Sequence, residues 1–521
     1  MLSDTDQLHR PVVAGLSRKR VRLHAAVNMS RPARIVPSLL LVVVMVLHSG
    51  RCAGAQPPVS VPGVLREFRG VWVATGWNID WPTQPGLSAA AQQNEVRQML
   101  DRVVALGLNA VVLQVRSEAD AIYPSQQPWS RSLTGTSGEG PQPAYDPLQY
   151  WIRQAHSRGL ELHAWINPFR VQSSSRAVAA EHISRTAPEL VVRYGEQRWL
   201  DPGHPGSIAH VLQVIEDLLQ RYDVDGLHLD DYFYPYPIRD DAGAVVEFPD
   251  TASWENYLRQ GGQYSRSDWR RSRVSRLVSL IRARVRRLKP DIRFGISPFG
   301  LPGRGLLPQV GGLDQYEELY ADPQRWAERS WCDYLTPQLY WRTTDSKRAF
   351  GMLLNHWSGL QKSSLQIWPG LNASAVADGQ SGWTGKEIAD QIRLTREFLT
   401  VPGHVHFSAR ALLRDGSDLF AELRQSVYQE PAAVPVRAGL TERIGGEPTV
   451  SLSGRVLSVS TAGARPRRWC LQTRDQNGQW QQWLLSGELD QLQVPVGAAE
   501  VAVSALDQLS RQGEVVRLLV R

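Results

Sequence analysis

Two adjacent carboxyl groups, Asp230 and Asp231, stand between an apolar stretch and an aromatic run in the segment GLHLDDYFYPYP, residues 226–237. Paired carboxyl groups can perform acid–base or nucleophilic chemistry, because one donates a proton while the other attacks or activates water. In a β-strand, residues i and i+2 share a face, so we expect His228 and Asp230 to point the same way. Asp231 falls at the following turn, where pleating does not fix its direction. Asp230 is therefore the better candidate for direct chemistry.

Other polar and aromatic side chains follow similar apolar stretches elsewhere in the chain. With Asp230 and Asp231, the candidate site residues are Asp120, Gln114, Arg116, His163, Asn167, Arg170, His228, Tyr232, Ser297, Gln338, Tyr340 and Trp341. Each also has a structural interpretation, since paired aspartates can cap a segment and aromatic residues often belong to a core. Their combination after successive strand-like stretches is more informative than any single residue.

Eight apolar stretches of strand length alternate with amphipathic helical stretches over most of the chain. The stretches cover residues 68–75, 110–117, 161–168, 226–233, 293–300, 334–341, 365–372 and 404–410. Strands that alternate with helices indicate an α/β protein, and eight such units predict a (β/α)8 TIM barrel over residues 66–430. Several loops that follow strands are long, for example 118–147 and 234–266. We expect these loops at the C-terminal face of the barrel, where barrel enzymes carry their active sites.

Residues 436–521 show a different pattern, in which apolar and polar residues alternate and helical periodicity is scarce. Alternation with a period of two indicates half-buried strands, so this region predicts a small C-terminal β-sandwich domain. Cys332 and Cys470 fall in different predicted domains. We expect both to be free thiols rather than partners in a disulfide.

The N-terminal region carries the features of an exported protein. Arg31 and Arg34 precede the apolar run 39–47, and small residues allow cleavage near Ala55. A basic segment, a short apolar run and small residues before the cut are typical of a secretory signal peptide, which we assign to residues 29–55. The run is too short for a comfortable membrane span. We therefore predict a secreted or periplasmic protein with no stable membrane span after cleavage.

The positive charge of the chain is concentrated in the same region. The formal net charge is +7 at pH 7, but residues 1–55 hold eight of the basic residues and only two acidic ones. The rest of the chain is close to neutral, which argues against a nucleic-acid partner. Met29 offers a second start for the signal peptide, and we interpret residues 1–28 as a candidate non-native extension.

The order and length of several motifs give the sequence a family resemblance. FRGVWVAT, NAVVLQVR, ELHAWINPFRV, YDVDGLHLDDYFYP, FGISPFG and DYLTPQLYW follow one another between residues 66 and 410. This succession resembles the bacterial glycosyl-hydrolase-like family 10, formerly a domain of unknown function. The resemblance implies a (β/α)8 glycosidase barrel and places Asp230 like the fourth-strand nucleophile of the α-amylase and α-galactosidase groups. It also implies an envelope glycan as substrate, because some relatives act on peptidoglycan strands stripped of stem peptides at the division site.

Hydrolysis of a glycosidic bond uses two carboxyl groups, one that protonates the leaving oxygen and one that attacks the anomeric carbon or activates water. Asp230 suits the nucleophile or base. The candidates for the acid are Asp231 and Asp120 first, and then Glu118, Asp314 and Glu317. The side chains expected to bind sugar most directly are Arg116, His163, Asn167, Gln338 and Tyr340. We expect neither a cofactor nor a metal ion.

Three features keep other interpretations open. The fifth predicted strand ends in SPFG without a glutamate, so a glycan-binding envelope protein on a catalytically silent barrel is an alternative. Whether the barrel is catalytic or silent, we expect the C-terminal sandwich domain to bind glycan or to brace the barrel. His404 and His406 form an H-x-H pair used by some metal barrels, and a metal-dependent hydrolase is a weaker alternative. Ser117 and residues 301–304 depart from the proline and the Trp-Arg pair that are frequent in the family, which predicts a different substrate preference.

Overall fold

The computed structural model describes residues 60–303, 305–307, 310–414, 417–437 and 439–520. The extension and the signal peptide predicted for residues 1–55 lie outside these ranges. From Ser60 onward the chain forms one compact unit that contains both predicted domains. Of the helices described, none is long and apolar enough to cross a membrane.

Within the described residues, eight parallel strands form the (β/α)8 barrel that the sequence predicted. In chain order they are β1 (Phe68–Val73), β2 (Ala110–Arg116), β3 (Glu161–Ile166), β4 (Gly226–Leu229), β5 (Arg293–Ile296), β6 (Tyr334–Leu335), β7 (Gln366–Ile367 and Gly370–Asn372) and β8 (Gly403–Phe407). Neighbours along the chain pair in parallel, and β8 pairs with β1. Pro369 interrupts β7, because proline has no N–H for the ladder. The first half of β7 pairs with β6 and the second half with β8, which closes the ring.

Amphipathic helices cover the outside of the barrel. They are α1 (Ala89–Leu106), α2 (Pro147–His156), α3 (Pro205–Arg221), α4 (Arg266–Leu288), α5 (Pro323–Glu328), α6 (Phe350–Ser358), α7 (Gly385–Phe398) and α8 (Asp418–Ser426). Further helices lie at Gly76–Asn78, Arg131–Thr134, Ile183–Thr186, Pro188–Leu190, Thr251–Arg259, Gln315–Glu318, Ala373–Ala377 and Ala409–Leu412. In α1 the Ser88 hydroxyl accepts the Ala91 N–H at 3.3 Å, and Gly107 ends the helix with a φ of 90°. Leu100 and Val103 lie on the buried face of this helix, as expected for an amphipathic helix on a barrel.

The fourth strand ends earlier than the sequence predicted. β4 stops at Leu229 instead of continuing to residue 233, so Asp230 and Asp231 lie just beyond its carboxyl end. The Asp230 carboxylate accepts the Tyr232 N–H at 3.3 Å. Such a side-chain bond to the backbone two residues on is the local device by which aspartate turns a chain out of a strand. Both carboxyl groups therefore belong to the loop face of the barrel.

The loop that follows β3 adds a small antiparallel sheet to the same face. Its strands are Arg170–Gln172, Val191–Tyr194 and Gln197–Leu200. Trp199 is fully buried, and its indole N–H donates to the Phe233 carbonyl at 3.0 Å. This bond ties the small sheet to the loop that carries the two aspartates.

A buried polar layer fills the barrel below the carboxyl ends of the strands. The Tyr334 hydroxyl hydrogen-bonds His163 Nδ1 at 2.8 Å and His228 Nδ1 at 3.0 Å. Two glycines make room for these rings: a Cβ on Gly226 would lie 2.6 Å from the His163 ring, and one on Gly295 would lie 2.0 Å from the Tyr334 ring. Real Cβ atoms do not approach so closely, so the layer requires glycine at both positions.

The described part of the C-terminal region forms two antiparallel sheets. One contains Thr449–Ser453, Val456–Ser460 and Gln491–Gln493, and the other contains Arg468–Asp475, Trp480–Ser486, Ala498–Leu506 and Val516–Leu519. Leu457, Leu471 and Val503 pack in one buried cluster. A core between two antiparallel sheets is the β-sandwich that the sequence predicted. Cys470 in this domain and Cys332 in the barrel are both buried and free.

The sandwich packs on the barrel face where the strands begin, opposite Asp230. Arg467 forms an ion pair with Asp225, which directly precedes β4. Arg468 Nε donates to the Gly159 carbonyl at 2.8 Å, just before β3. These contacts brace the barrel from the side that lies away from the aspartate pair.

Asp225 is the central ionic group of this interface. Its carboxylate also accepts the Leu162 N–H at 2.8 Å and bonds His156 Nε2 at 2.9 Å. Burial alone would raise the pKa of Asp225, but Arg467 and His156 lower that pKa well below its usual range. We predict that Asp225→Asn lowers the free energy of unfolding by roughly 3–5 kcal/mol at pH 7, because a buried Arg467 loses its counter-charge. Urea unfolding measures the change.

Asp223→Asn is the matched control, since the Asp223 side chain is 85% exposed and lies 3.7 Å from Lys289. Exposed pairs of this kind contribute about 0–1 kcal/mol. Because the pKa of Asp225 is depressed, its contribution is present above the unfolded value of 3.8 and declines as the pH falls below it. Equal unfolding energies for Asp225→Asn and wild type at pH 7 would contradict this account of the interface.

Candidate active site

The carboxyl ends of the barrel strands surround a cavity of about 240 Å³. Eight of the predicted site residues line it, namely Gln114, Arg170, Asp230, Asp231, Tyr232, Ser297, Gln338 and Tyr340. The remaining six, which do not line it, are Asp120, Arg116, His163, Asn167, His228 and Trp341. Aromatic side chains supply much of the remaining wall, including Trp72, Trp165 and Tyr236. The cavity therefore combines a carboxyl pair with apolar walls.

Asp230 is a buried carboxyl group at the end of β4. It is 4% exposed, and only its Oδ1 atom accepts a hydrogen bond, from the Tyr232 N–H. Its Oδ2 atom and the nearby Trp165 indole N–H are both buried without a partner at hydrogen-bonding geometry. Burial, and next the charge of Asp231, raise the pKa of Asp230 to about 7, against the opposing effect of Arg170. Asp230 is thus poised to change its protonation near neutral pH.

Asp231 is as buried as Asp230, but its carboxyl group has more hydrogen-bond partners. Its carboxylate accepts the Tyr236 hydroxyl proton, and it is 3% exposed. Burial raises the pKa of Asp231, while the hydrogen bonds from Tyr236 and Gln338 lower it. Two neighbouring buried carboxyl groups cannot both ionise cheaply, so they titrate as a pair that retains one proton near neutral pH. One acid and one base are the combination that glycosidic hydrolysis requires.

Arg170 is the cation among the described residues that line the cavity. Its Nε donates to the Ser117 carbonyl at 3.1 Å, and its guanidinium lies 4.7 Å from the centre of the Tyr232 ring. These contacts hold the positive charge close to the two aspartates. Arg170 lowers the pKa of both carboxyl groups and therefore favours ionisation of the pair.

Two polar side chains of the cavity wall, Gln114 and Gln338, are held by hydrogen bonds to the backbone of neighbouring strands and loops. Gln114 Oε1 accepts the N–H groups of Thr75 and Gly76 at 3.1 and 2.8 Å, so this amide shapes the loop after β1. Gln338 Nε2 donates to the Ser297 carbonyl at 3.2 Å. Their fixed orientation suits the binding of sugar hydroxyls, because little side-chain freedom remains to be lost.

His163 and His228 lie beneath the cavity rather than in its wall. Both are fully buried in the polar layer around Tyr334. His228 Nε2 contacts the Ser297 hydroxyl at 3.1 Å and accepts the Trp72 indole N–H at 3.3 Å. Burial, and next His163, hold the pKa of His228 well below its usual value, so His228 stays neutral. Both histidines support the site from below instead of contacting its space.

Arg116, Asn167 and Trp341 also stand away from the cavity. The Arg116 guanidinium donates to the backbone carbonyls of Asn167 and Pro168, and burial lowers its pKa to about 10. Asn167 Oδ1 lies 3.5 Å from the Gln114 amide nitrogen. Trp341 packs edge-on against Phe299 at 6.0 Å. These residues hold the loops that carry the wall.

The other candidates for the catalytic acid lie outside the main cavity. Asp120 accepts the N–H groups of Ser117 and Glu118 at 3.0 and 2.9 Å, beside a second cavity of about 110 Å³ that Glu118 also lines. Asp314 caps the short helix Gln315–Glu318, and Glu317 pairs with Arg271. Of the five acid candidates, Asp231 alone shares the main cavity with Asp230 in the part of the chain that the structure describes.

His404 and His406 are part of the barrel core. Both rings hydrogen-bond the Tyr428 hydroxyl, and both are fully buried. Across the described ranges, no group of three or more His, Cys, Asp or Glu side chains is arranged to hold a metal ion. The H-x-H spacing therefore corresponds to a histidine–tyrosine cluster in this structure.

Five aromatic residues of the wall stand outside the list of candidate site residues, namely Trp72, Trp77, Trp165, Tyr236 and Phe407. Trp165 lies two residues after His163 on β3, so strand alternation could have placed both on the barrel interior. Tyr236 follows the aspartates in the same motif, yet nothing in its spacing indicated a bond to Asp231. Phe407 ends β8 and packs against Trp72, with ring centres 6.2 Å apart.

The raised pKa of Asp230 has a measurable consequence for stability. Because that pKa of about 7 exceeds the unfolded value of 3.8, the free energy of unfolding falls as the pH rises between these two values. Asparagine cannot ionise, so Asp230→Asn should gain stability relative to wild type between pH 5 and pH 8, by on the order of 1–3 kcal/mol. Thermal unfolding across this range measures the difference.

Asp291→Asn is the control for this experiment. Asp291 is an exposed aspartate just before β5, at the opposite end of the barrel. We expect its offset from wild type to stay constant with pH. If Asp230→Asn and wild type had parallel pH profiles, the raised pKa would be wrong.

Comparison with known proteins identifies the family of this chain. A sequence model described as glycosyl hydrolase-like 10 matches residues 67–383. The chain is 37% identical to "Glycosyl hydrolase YngK" of Bacillus subtilis (strain 168) over 382 residues, which cover 71% of this chain and 73% of that protein. It is 32% identical to "Glycosyl hydrolase DigH" of Escherichia coli (strain K12) over 336 residues, which cover 60% of this chain and 74% of that protein.

A solved structure with a similar outline is the catalytic domain of β-amylase from Paenibacillus polymyxa. Its TM-score to this chain is 0.48 at 12% sequence identity, and the superposition covers 71% of this chain and 100% of that one.

Proposed function

The chain belongs to the glycosyl hydrolase-like 10 family and is a glycoside hydrolase, and from this premise we propose that it cleaves a cell-envelope polysaccharide, specifically the glycan strands of peptidoglycan. The observation that carries the proposal is the buried pair Asp230 and Asp231 in a cavity with aromatic walls. The pair supplies the acid and the base of the reaction.

The shape and lining of the cavity suit a saccharide. Trp72, Trp77 and Tyr340 offer apolar ring faces against which the faces of a pyranose can pack. Arg170 offers hydrogen-bond donors to hydroxyl groups, and the side-chain oxygen of Gln338 offers an acceptor. A few fixed polar groups among aromatic walls are typical of a site that binds an amphipathic ligand such as a sugar.

The second cavity extends the site along the barrel face. Gly76 and Trp77 line both cavities, so the two spaces adjoin the same loop. Together they provide room for more than one sugar unit. A polymer therefore fits this face better than a free monosaccharide.

Peptidoglycan as the polymer rests on two sequence features. The motifs resemble a family in which some members act on peptide-free glycan strands, and the N-terminal segment has the pattern of a signal peptide. An exported enzyme meets the envelope glycan, whereas an enzyme retained inside the cell does not.

The proposal of export has its own experiment. Expressed in a bacterium with a periplasm, the chain should appear outside the cytoplasm with a mature N-terminus at Gln56. Cell fractionation and mass spectrometry of the intact protein measure both properties. A variant with Arg31→Glu and Arg34→Glu is the control, since the basic segment directs export. An uncleaved wild-type chain in the cytoplasm would refute export.

The activity is tested with purified peptidoglycan glycan strands that carry no stem peptides. We expect new reducing ends with the wild-type protein, and a loss of about 10²–10⁴-fold in rate for Asp230→Asn, because an acid–base group contributes roughly this much. Asp291→Asn, exposed on the opposite face, should cleave like wild type.

Two outcomes would contradict the proposal. Strands that bind without being cleaved would favour a glycan-binding protein on a catalytically silent barrel. Cleavage by Asp230→Asn at the wild-type rate would show that the buried pair is not the catalytic centre. Strands that still carry stem peptides provide a further comparison for substrate preference.

A further inference from the structure

The carboxyl groups that line the cavity come from one of its walls. Among the residues that the structure describes, Asp230 and Asp231 are the two carboxyl groups that line it. They are consecutive residues, so their Cα atoms are about 3.8 Å apart. Both follow β4 and reach the cavity from the same wall.

The facing walls offer no carboxyl group among the described residues. Trp72 on β1, Gln114 on β2 and Phe407 on β8 line that side. Ordinary glycosidases place their two carboxyl groups on either side of the scissile bond, one as acid and one as nucleophile or base. A pair on one wall leaves the far side of the anomeric carbon without a protein nucleophile.

A sugar that carries a 2-acetamido group can supply that nucleophile itself, and this is one of the known routes of glycoside hydrolysis. Both sugars of a peptidoglycan strand carry such a group. We propose that this enzyme uses the 2-acetamido carbonyl oxygen of its substrate as the nucleophile, with Asp230 holding the amide N–H and Asp231 protonating the leaving oxygen. The inference rests on the proposed function and narrows the substrate to N-acylated amino sugars.

Asp230 has the features of the amide-binding group. Its Oδ2 atom is buried, and the nearby Trp165 indole N–H lies outside hydrogen-bonding geometry, so an N–H from a ligand would satisfy an acceptor that is otherwise costly to leave unpaired. Across the cavity from Asp230, the Phe407 ring packs against the rings of Trp72 and Tyr340, with ring centres 6.2 and 6.0 Å away. Such an apolar surround suits the methyl group of an acetamide.

Asp231 has the features of the proton donor. It lies one residue further into the loop, and the Tyr236 hydroxyl and Gln338 amide fix its carboxyl group. The buried pair shares one proton near neutral pH, and a substrate amide N–H that donates to Asp230 favours the carboxylate form of Asp230, which leaves that proton on Asp231 for the leaving oxygen.

The chemical steps balance without any further reactant except water. The acetamido oxygen bonds to the anomeric carbon as the glycosidic C–O bond breaks, the leaving oxygen takes the proton of Asp231, and the amide N–H proton passes to Asp230. In the second step Asp231 removes a proton from water, whose oxygen bonds to the anomeric carbon. The bond to the acetamido oxygen then breaks, and Asp230 returns the proton to nitrogen. The configuration at the anomeric carbon is retained.

The deciding experiment uses the wild-type enzyme and a graded set of substrates. Peptide-free glycan strands are de-N-acetylated and then re-acylated with acetyl, fluoroacetyl, difluoroacetyl or trifluoroacetyl groups. Each fluorine withdraws electrons from the carbonyl oxygen, so kcat should fall stepwise, by about 10²-fold over the series, if that oxygen is the nucleophile. The re-acetylated strand is the matched control for the chemical treatment.

The outcomes separate the inference from the proposed function. A kcat that stays constant across the series overturns substrate assistance and leaves glycan hydrolysis intact. If the re-acetylated and untreated strands are both left uncleaved, the proposed function fails and the inference fails with it. A stepwise fall supports both.

The roles within the pair are tested with a strand fragment whose leaving group is dinitrophenol, which departs without a proton. On this substrate Asp231→Asn should recover to within about tenfold of wild type, because the acid is no longer needed. Asp230→Asn should remain slow by about 10²-fold, since the amide N–H has lost its acceptor. The reverse pattern would overturn the assignment. Circular dichroism and the Asp291→Asn control show that any loss is not due to unfolding.

Discussion

The burial of two adjacent carboxyl groups at the end of β4 is the constraint on which the rest of this site depends. Asp230 and Asp231 are both nearly inaccessible to solvent. Ionising two such neighbours in an apolar wall is unfavourable, so the protein holds a proton there at neutral pH. A surface location would have left both groups as ordinary carboxylates.

The barrel interior is built to keep this pair in place. Tyr334 joins His163 and His228 in a bonded layer, and Gly226 and Gly295 provide the space for the rings. A buried layer whose polar groups are bonded resists rearrangement, because an unpaired group there would be costly. The strand that carries the aspartates therefore has a fixed register against its neighbours.

The opposite face of the barrel is held by the C-terminal domain. Arg467 reaches Asp225 at the start of β4, whereas Asp230 lies at the end of the same strand. The residue that pairs with the C-terminal domain and the candidate catalytic residue thus lie at opposite ends of one short strand. This division is typical of the fold, in which the C-terminal face carries the reaction and the N-terminal face supports the barrel.

Much of the fold followed from local sequence pattern. Alternating apolar stretches and amphipathic helices predicted the barrel, and period-two alternation predicted the sandwich, because each pattern reflects which side of an element must be buried. The strand boundaries were less accurate. β4 ends at Leu229 because the Asp230 side chain bonds the Tyr232 N–H, a local competition that the apolar pattern does not reveal.

The sequence by itself determined which chemistry was present, since the paired aspartates and their neighbouring motifs identify a carboxylate site on a glycosidase barrel. Tertiary structure alone decided which side chains share the cavity. Asp120, His163 and Arg116 have suitable chemistry and follow or lie on barrel strands, yet loop turns and the buried layer direct them elsewhere. Tyr236 joins Asp231 only through the path of its loop. Spacing along a strand fixes the face on which a side chain lies. Its depth in the barrel and its hydrogen-bond partners depend on how distant segments of the chain pack.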